Sequence, residues 1–195
     1  MAKISRFQKV MFCLVVVFSL ICILEIRSYL TNKDFPGLSI TTLRIFKITS
    51  VCEEVIIPLS IILLMIFQKR KVIPCLLACR CFLYFVSNIL FRVNDSLYLT
   101  KREFVIVILG VVFIIVLLLY TFNLLTLNAV ILVSILILGA WFIVRGVGTY
   151  VISNFSLLFG AEGGLFSSRA IDVIYQIADP LLYICSLGML KEKKG

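Results

Sequence analysis

The chain has 195 residues, of which 62% are hydrophobic and 15% charged, with 19 Lys and Arg against 10 Asp and Glu. Soluble domains run at about 45–50% apolar and about 25% charged, and a chain this apolar has too little polar side chain to clothe a water-facing surface. The formal charge of +9 would suggest nucleic acid in a soluble protein. Here the cations gather in “KISRFQK”, “QKRK” and “KEKK” at the ends of apolar runs, where they set topology and meet anionic headgroups, so no nucleic-acid partner is expected.

The pattern predicts an all-α, polytopic transmembrane bundle of about six spans, one integral-membrane domain over residues 1–195. The first span, 9–27, follows a basic start, “MAKISRFQK”. No small-x-small cleavage site comes after it, because “LICILEIRSY” is bulky and charged, so it reads as a retained span. The second, 44–67, contains Pro58, which can kink the helix and free a carbonyl one turn earlier. The third, 72–91, opens with Pro74 in its first turn and holds the cluster “CLLACRC”. Cys75 and Cys79 share a helical face there, but with no His and no CxxC in the chain no metal site is expected. Cys13, Cys22, Cys52 and Cys185 lie singly in apolar runs and read as small core residues.

The fourth span, 103–121, has no charged residue between Phe104 and Tyr120 and reads as the most lipid-exposed. The uncharged “TFNLLTLN” joins it to the fifth, 128–145. The stretch “GVGTYVISNFSLLFGAEGGLFSS” either extends the fifth span or lies along the interface. “GAEGG” ends it, and Ser167 or Ser168 caps the sixth span, 169–190. Three basic groups (Lys3, Arg6 and Lys9; Lys69, Arg70 and Lys71; Lys191, Lys193 and Lys194) fall on one side of a six-span protein, which makes both termini cytoplasmic.

Polar residues form stripes on these apolar helices. In the sixth span Asp172, Tyr175, Gln176, Asp179, Tyr183 and Ser186 recur at helical spacing along one face. The third span has Arg80, Tyr84, Ser87 and Asn88; the second has Ser50, Glu53, Glu54 and Ser60; the fifth has Ser134, Trp141 and Arg145. At 1.5 Å rise per residue, Arg80, Asp179 and Glu54 lie roughly 14, 18 and 21 Å from their cytoplasmic ends, near mid-membrane. A lone charge there costs roughly 2.5–3.5 kcal/mol, so Asp179 is expected to face the interior and pair with Arg80, with Glu54 the second acid of the layer. Glu53, Gln176, Tyr84 and Asn88 complete this expected intramembrane polar site. Asp172, Arg145 and Glu25 stand further out, in an expected outer vestibule.

Without His, His-dependent zinc and triad chemistry is out of reach, and no G-x-S-x-G, Walker or G-x-G-x-x-G motif occurs. The paired glutamates of “CEEVIIP” resemble those of intramembrane metalloprotease-like families, which need an Arg soon after and later His or Asn ligands; the Arg and His are missing, so that assignment is not carried over. Six short spans are similar in architecture to the small substrate-binding subunits of vitamin uptake systems, without their Ala-x-x-x-Ala coupling signature. An enzyme is not expected, nor a cofactor. The expectation is a transporter or membrane-embedded small-molecule or ion-binding subunit; the alternative is a non-catalytic scaffold or accessory subunit that binds another membrane protein. Its partners would be the lipid bilayer and either a small solute or another membrane protein. The expected location is the plasma (bacterial inner) membrane, with an endomembrane as the other possibility.

Overall fold

The computed structural model describes residues 5–32, 40–94, 101–154 and 168–190. All regular structure among them is helical. In chain order these are α1 (Arg6–Asn32), α2 (Ile40–Val51), a π turn (Cys52–Ile56), α3 (Ile57–Ile66), a 3-10 turn (Arg70–Val72), α4 (Ile73–Asn94), α5 (Lys101–Thr121), α6 (Leu127–Arg145), α7 (Val147–Ser153) and α8 (Ser168–Gly188). Among the described residues, five stretches are long and apolar enough to cross a membrane: Arg6–Ile26, Thr41–Ile66, Phe104–Thr121, Leu127–Arg145 and Ala170–Gly188. They mark an integral membrane protein. The expected third span corresponds to α4, a 22-residue helix whose side chains are described only as far as Val86. Of the stretch expected to end at “GAEGG”, α7 and Asn154 are described; “GAEGG” itself, Ser167 and the side chain of the other candidate cap, Ser168, lie outside the described residues.

The expected second span, 44–67, matches the continuous helical stretch Thr41–Ile66. It is α2 and α3 joined through the π turn. The expected fourth and fifth spans match α5 and α6, and the junction between them is short. Asn123 turns the chain with φ 59°, a left-handed conformation that Asn tolerates. Thr126 then caps α6, its side-chain oxygen accepting from Ala129 N–H at 3.4 Å. At its other end α6 stops at Gly146, φ 67°, whose N–H returns to Phe142 and Ile143 carbonyls; glycine adopts that conformation without a Cβ clash.

Helix α8 is central. It packs against α1, α4, α6 and α7, while α4 also meets α2, the π turn and α5. Val173, Leu182, Tyr183, Ser186 and Leu187 are almost wholly buried, so the apolar side of α8 is packed against protein as well as its polar side. Gly110 lets α5 approach α4: the ring of Phe85 lies where a side chain at 110 would stand, the close contact that small residues allow between membrane helices. Burial does not single out α5 as the lipid-facing helix, since α1 and α5 each bury 22% of their apolar window. Gly110, Phe113 and Leu117 give α5 a packed side made without polar residues.

Four chain segments meet at one end of the bundle. Gly188, closing α8, lies against Met11 and Phe7 near the start of α1. Arg70, in the turn before α4, donates from Nη1 to the Met189 carbonyl at 3.3 Å. Leu190 and Arg70 share a cavity with Tyr120, Thr121 and Asn123 from the α5–α6 junction. Because this end collects Arg70 and Lys71, it is the basic end below.

Candidate functional site

The site begins with a backbone irregularity. In the π turn, Ile57 N–H reaches back five residues to Cys52 carbonyl. The next N–H in that register would belong to residue 58 and would meet Glu53 carbonyl. Residue 58 is proline and has no N–H. Arg80 of α4 fills the vacancy, its Nε donating to Glu53 carbonyl at 3.1 Å. Pro58 therefore frees a carbonyl, as its sequence position suggests, and the carbonyl is taken by a charged side chain from a neighbouring helix. Single π turns inside α-helices occur disproportionately at functional sites.

Arg80 is fully buried. Its Nη1 donates to Asp179 Oδ1 at 2.5 Å and its Nη2 to Glu54 Oε2 at 2.7 Å. Nη2 also reaches Cys22 Sγ of α1 at 3.6 Å, and the guanidinium carbon stands 5.1 Å from the centre of the Tyr183 ring. The second oxygen of Glu54 accepts from Tyr175 hydroxyl at 2.5 Å. The planar fork of guanidinium suits this task, because it can address two carboxylates and a carbonyl at once. Glu53, in the same turn, is also buried. Two carboxylates thus pair with one guanidinium, with a third carboxyl buried in the same turn, at a depth where an isolated charge is costly.

Beside this layer, between α6 and α8, is a cavity of about 260 Å³, counting its open mouth, lined by Trp141, Phe142, Arg145, Gln176 and Asp179 among others. Trp141 is 5% exposed, and its indole N–H has no acceptor among the described residues. Pro180 also lines the cavity; lacking an N–H, it leaves the Gln176 carbonyl without its usual helical donor. Arg145 lies over the Tyr84 ring at 5.6 Å, and Tyr84 in turn meets Trp141 edge-on at 5.2 Å. The enclosed part of the cavity is about the size of an ordered water, so a larger occupant would enter from the mouth.

The residues singled out from sequence sort into groups. Glu53, Glu54, Arg80 and Asp179 form the charged layer. Gln176 and Arg145 line the cavity next to Asp179, with Tyr84 beneath Arg145. Asp172 accepts from Tyr150 hydroxyl of α7 at 2.5 Å and from Gln176 Nε2 at 3.3 Å, and it is part-exposed. Glu25 is half-buried on α1, one turn beyond Cys22. Asn88 and Ser87 fall on α4 with side chains outside the described residues. Tyr175 and Tyr183 belong to the stripe on α8, yet spacing alone did not assign them to the Arg80 layer. Cys22 gave no sequence signal, since a lone cysteine in an apolar run looks the same in any packing role. Tyr150 lay in a segment with ambiguous hydropathy.

The chemistry available here is the holding of charge. Among the described residues there is no group of three His, Cys, Asp or Glu side chains placed to hold a metal ion. The layer holds more carboxyl than guanidinium, and the cavity offers donors from Arg145, Trp141 and Gln176 beside an acceptor on Asp179. Comparison with protein-family models, with curated proteins and with solved structures found no match.

Proposed function

We propose that the protein is a small transporter or membrane-embedded small-molecule or ion-binding subunit, with six spans and both termini on the cytoplasmic side of a plasma (bacterial inner) membrane. The observation that carries this reading is the buried layer of Glu53, Glu54 and Asp179 around Arg80, open to a cavity at Asp179. The layer sets three carboxyl groups beside one guanidinium, more acid than Arg80 alone can pair. Intramembrane ionisable groups are the usual mark of an ion or substrate path, and this excess suits a cation, a proton or a cationic part of a solute. The topology draws support from the basic end, where the start of α1, the turn before α4 and the end of α8 converge. By the positive-inside rule, that end faces the cytoplasm.

A scaffold role has one observation in its favour. Each of the three guanidinium nitrogens of Arg80 is bonded within the chain, as a purely structural clamp requires. The two readings part in a thermal-shift screen of the purified protein against monovalent cations, pH and small polar solutes. A binding subunit gains several degrees with one compound class, in proportion to concentration, and loses that gain in Asp179→Asn. No gain with any class, together with stable co-purification of another membrane protein, would favour the scaffold.

A further inference from the structure

The basic end holds a cavity larger than the one beside Asp179, about 620 Å³ counting its open side. Its lining comprises Arg70, Lys71, Tyr120, Thr121, Asn123 and Leu190. Two cations and three uncharged hydrogen-bonding side chains line it, and among the described residues no acidic one does. Arg70 is held by the Met189 carbonyl through Nη1, while its Nε is buried and has no acceptor among the described residues. A fixed guanidinium with an unused donor beside a cation-lined cavity calls for an anion with several acceptor oxygens.

Chain neighbours of the lining residues point to where such an anion would come from. Phe67, Phe122 and Leu124, in the turns that bring Arg70 and Asn123 to the cavity, are 69%, 71% and 68% exposed. Aromatic and aliphatic side chains at the ends of membrane helices sit among headgroups and the first methylenes of the acyl chains. An anion flanked by them has apolar chains to lay alongside, which free phosphate lacks.

We propose that this cavity binds the phosphate of an anionic phospholipid from the leaflet at the basic end, with Arg70 and Lys71 as its cationic contacts and Phe67, Phe122 and Leu124 against its acyl chains. Basic pockets between transmembrane helices recognise headgroups in this way. The site is separate from the Arg80 layer, and it stands whether that layer moves a solute or clamps the bundle.

The test uses the full chain in detergent micelles, titrated with phosphatidylglycerol or phosphatidylcholine, with bound lipid counted by native mass spectrometry. Phosphatidylglycerol is expected to bind with the higher affinity. Lys71→Gln is expected to weaken it about fivefold, the worth of one cation near an anionic headgroup, Lys71→Glu to weaken it further and Lys71→Arg to restore it. Lys71 is exposed, so the melting temperature of these variants without added lipid should match the parent, separating lost binding from lost fold. Equal binding of the two lipids, or unchanged phosphatidylglycerol affinity in Lys71→Glu, overturns the proposal. Displacement of phosphatidylglycerol by millimolar inorganic phosphate overturns the lipid as its occupant.

Discussion

Arg80 and Arg70 are ten residues apart and live by different rules. Arg80 is buried in the bundle and bonded to two carboxylates, a carbonyl and a thiol from α1, the π turn and α8. Arg70 stands at the end of the bundle, tied to one carbonyl and lining a cavity with no acid among the described residues. Inside, every partner of the cation is supplied by the chain, and removing one leaves another charge stranded in a medium that cannot solvate it. At the end, water and headgroups can replace a lost partner, so a charge there contributes to recognition and little to the fold. The same residue type is a structural dependency in one place and an adjustable contact in the other.

The largest effects should come from breaking the inner pair. Arg80→Gln and Asp179→Asn are each expected to cost about 3–5 kcal/mol, read as loss of folded yield and of melting temperature. The double substitution should cost less than the two singles summed, because it removes both charges together. Strict additivity in that cycle would mean that Arg80 depends on Asp179 no more than Arg70 depends on any single partner, and the contrast would fail.

Tyr175→Phe tests the edge of the inner layer. It deletes the hydroxyl that donates to Glu54, and a hydrogen bond to a charged group contributes about 1.5–3 kcal/mol. A melting temperature equal to the parent would show that water reaches Glu54 and that the layer is less dry than its burial implies. Gly110→Ala probes packing without charge. The new methyl meets the Phe85 ring, and overpacking costs about 1–3 kcal/mol; pairing it with Phe85→Leu should recover part of the loss. A neutral Gly110→Ala would show that α5 can move away from α4 freely. The smallest effect belongs to the lipid-facing side of α5: Val111 is 48% exposed, and Val111→Leu should change stability by no more than about 0.5 kcal/mol.

Much of the architecture was legible because a membrane forces long apolar runs and gathers cations at their ends. The extents of α5 and α6 followed from hydropathy alone, and the facing of Arg80, Asp179 and Glu54 from the spacing of polar residues and a fixed rise per residue. Where legibility stopped, the cause is tertiary. At the π turn the Glu53 carbonyl is met by Arg80, 27 positions away, which supplies the donor that Pro58 withholds, and local pattern carries no trace of that exchange. Cys22 joins the layer through a contact that its apolar neighbours do not advertise. The packed side of α5 rests on Gly110, Phe113 and Leu117, which leave no polar stripe to read. Tyr150 finds Asp172 across a segment whose composition suits both an interface and a helix.

The π turn also leaves the outline of the span unbroken. Phe46 and Ser50 before it, Glu53 and Glu54 within it and Ile57, Ile61 and Met65 after it are all buried, and at about 100° per residue they fall on one side of a single helical wheel. Ile48 before the turn and Leu59, Leu63 and Ile66 after it are exposed on the other side. The span therefore keeps one face toward the protein through the turn, and its two acids interrupt an otherwise apolar seam, with Glu54 held between Arg80 and Tyr175.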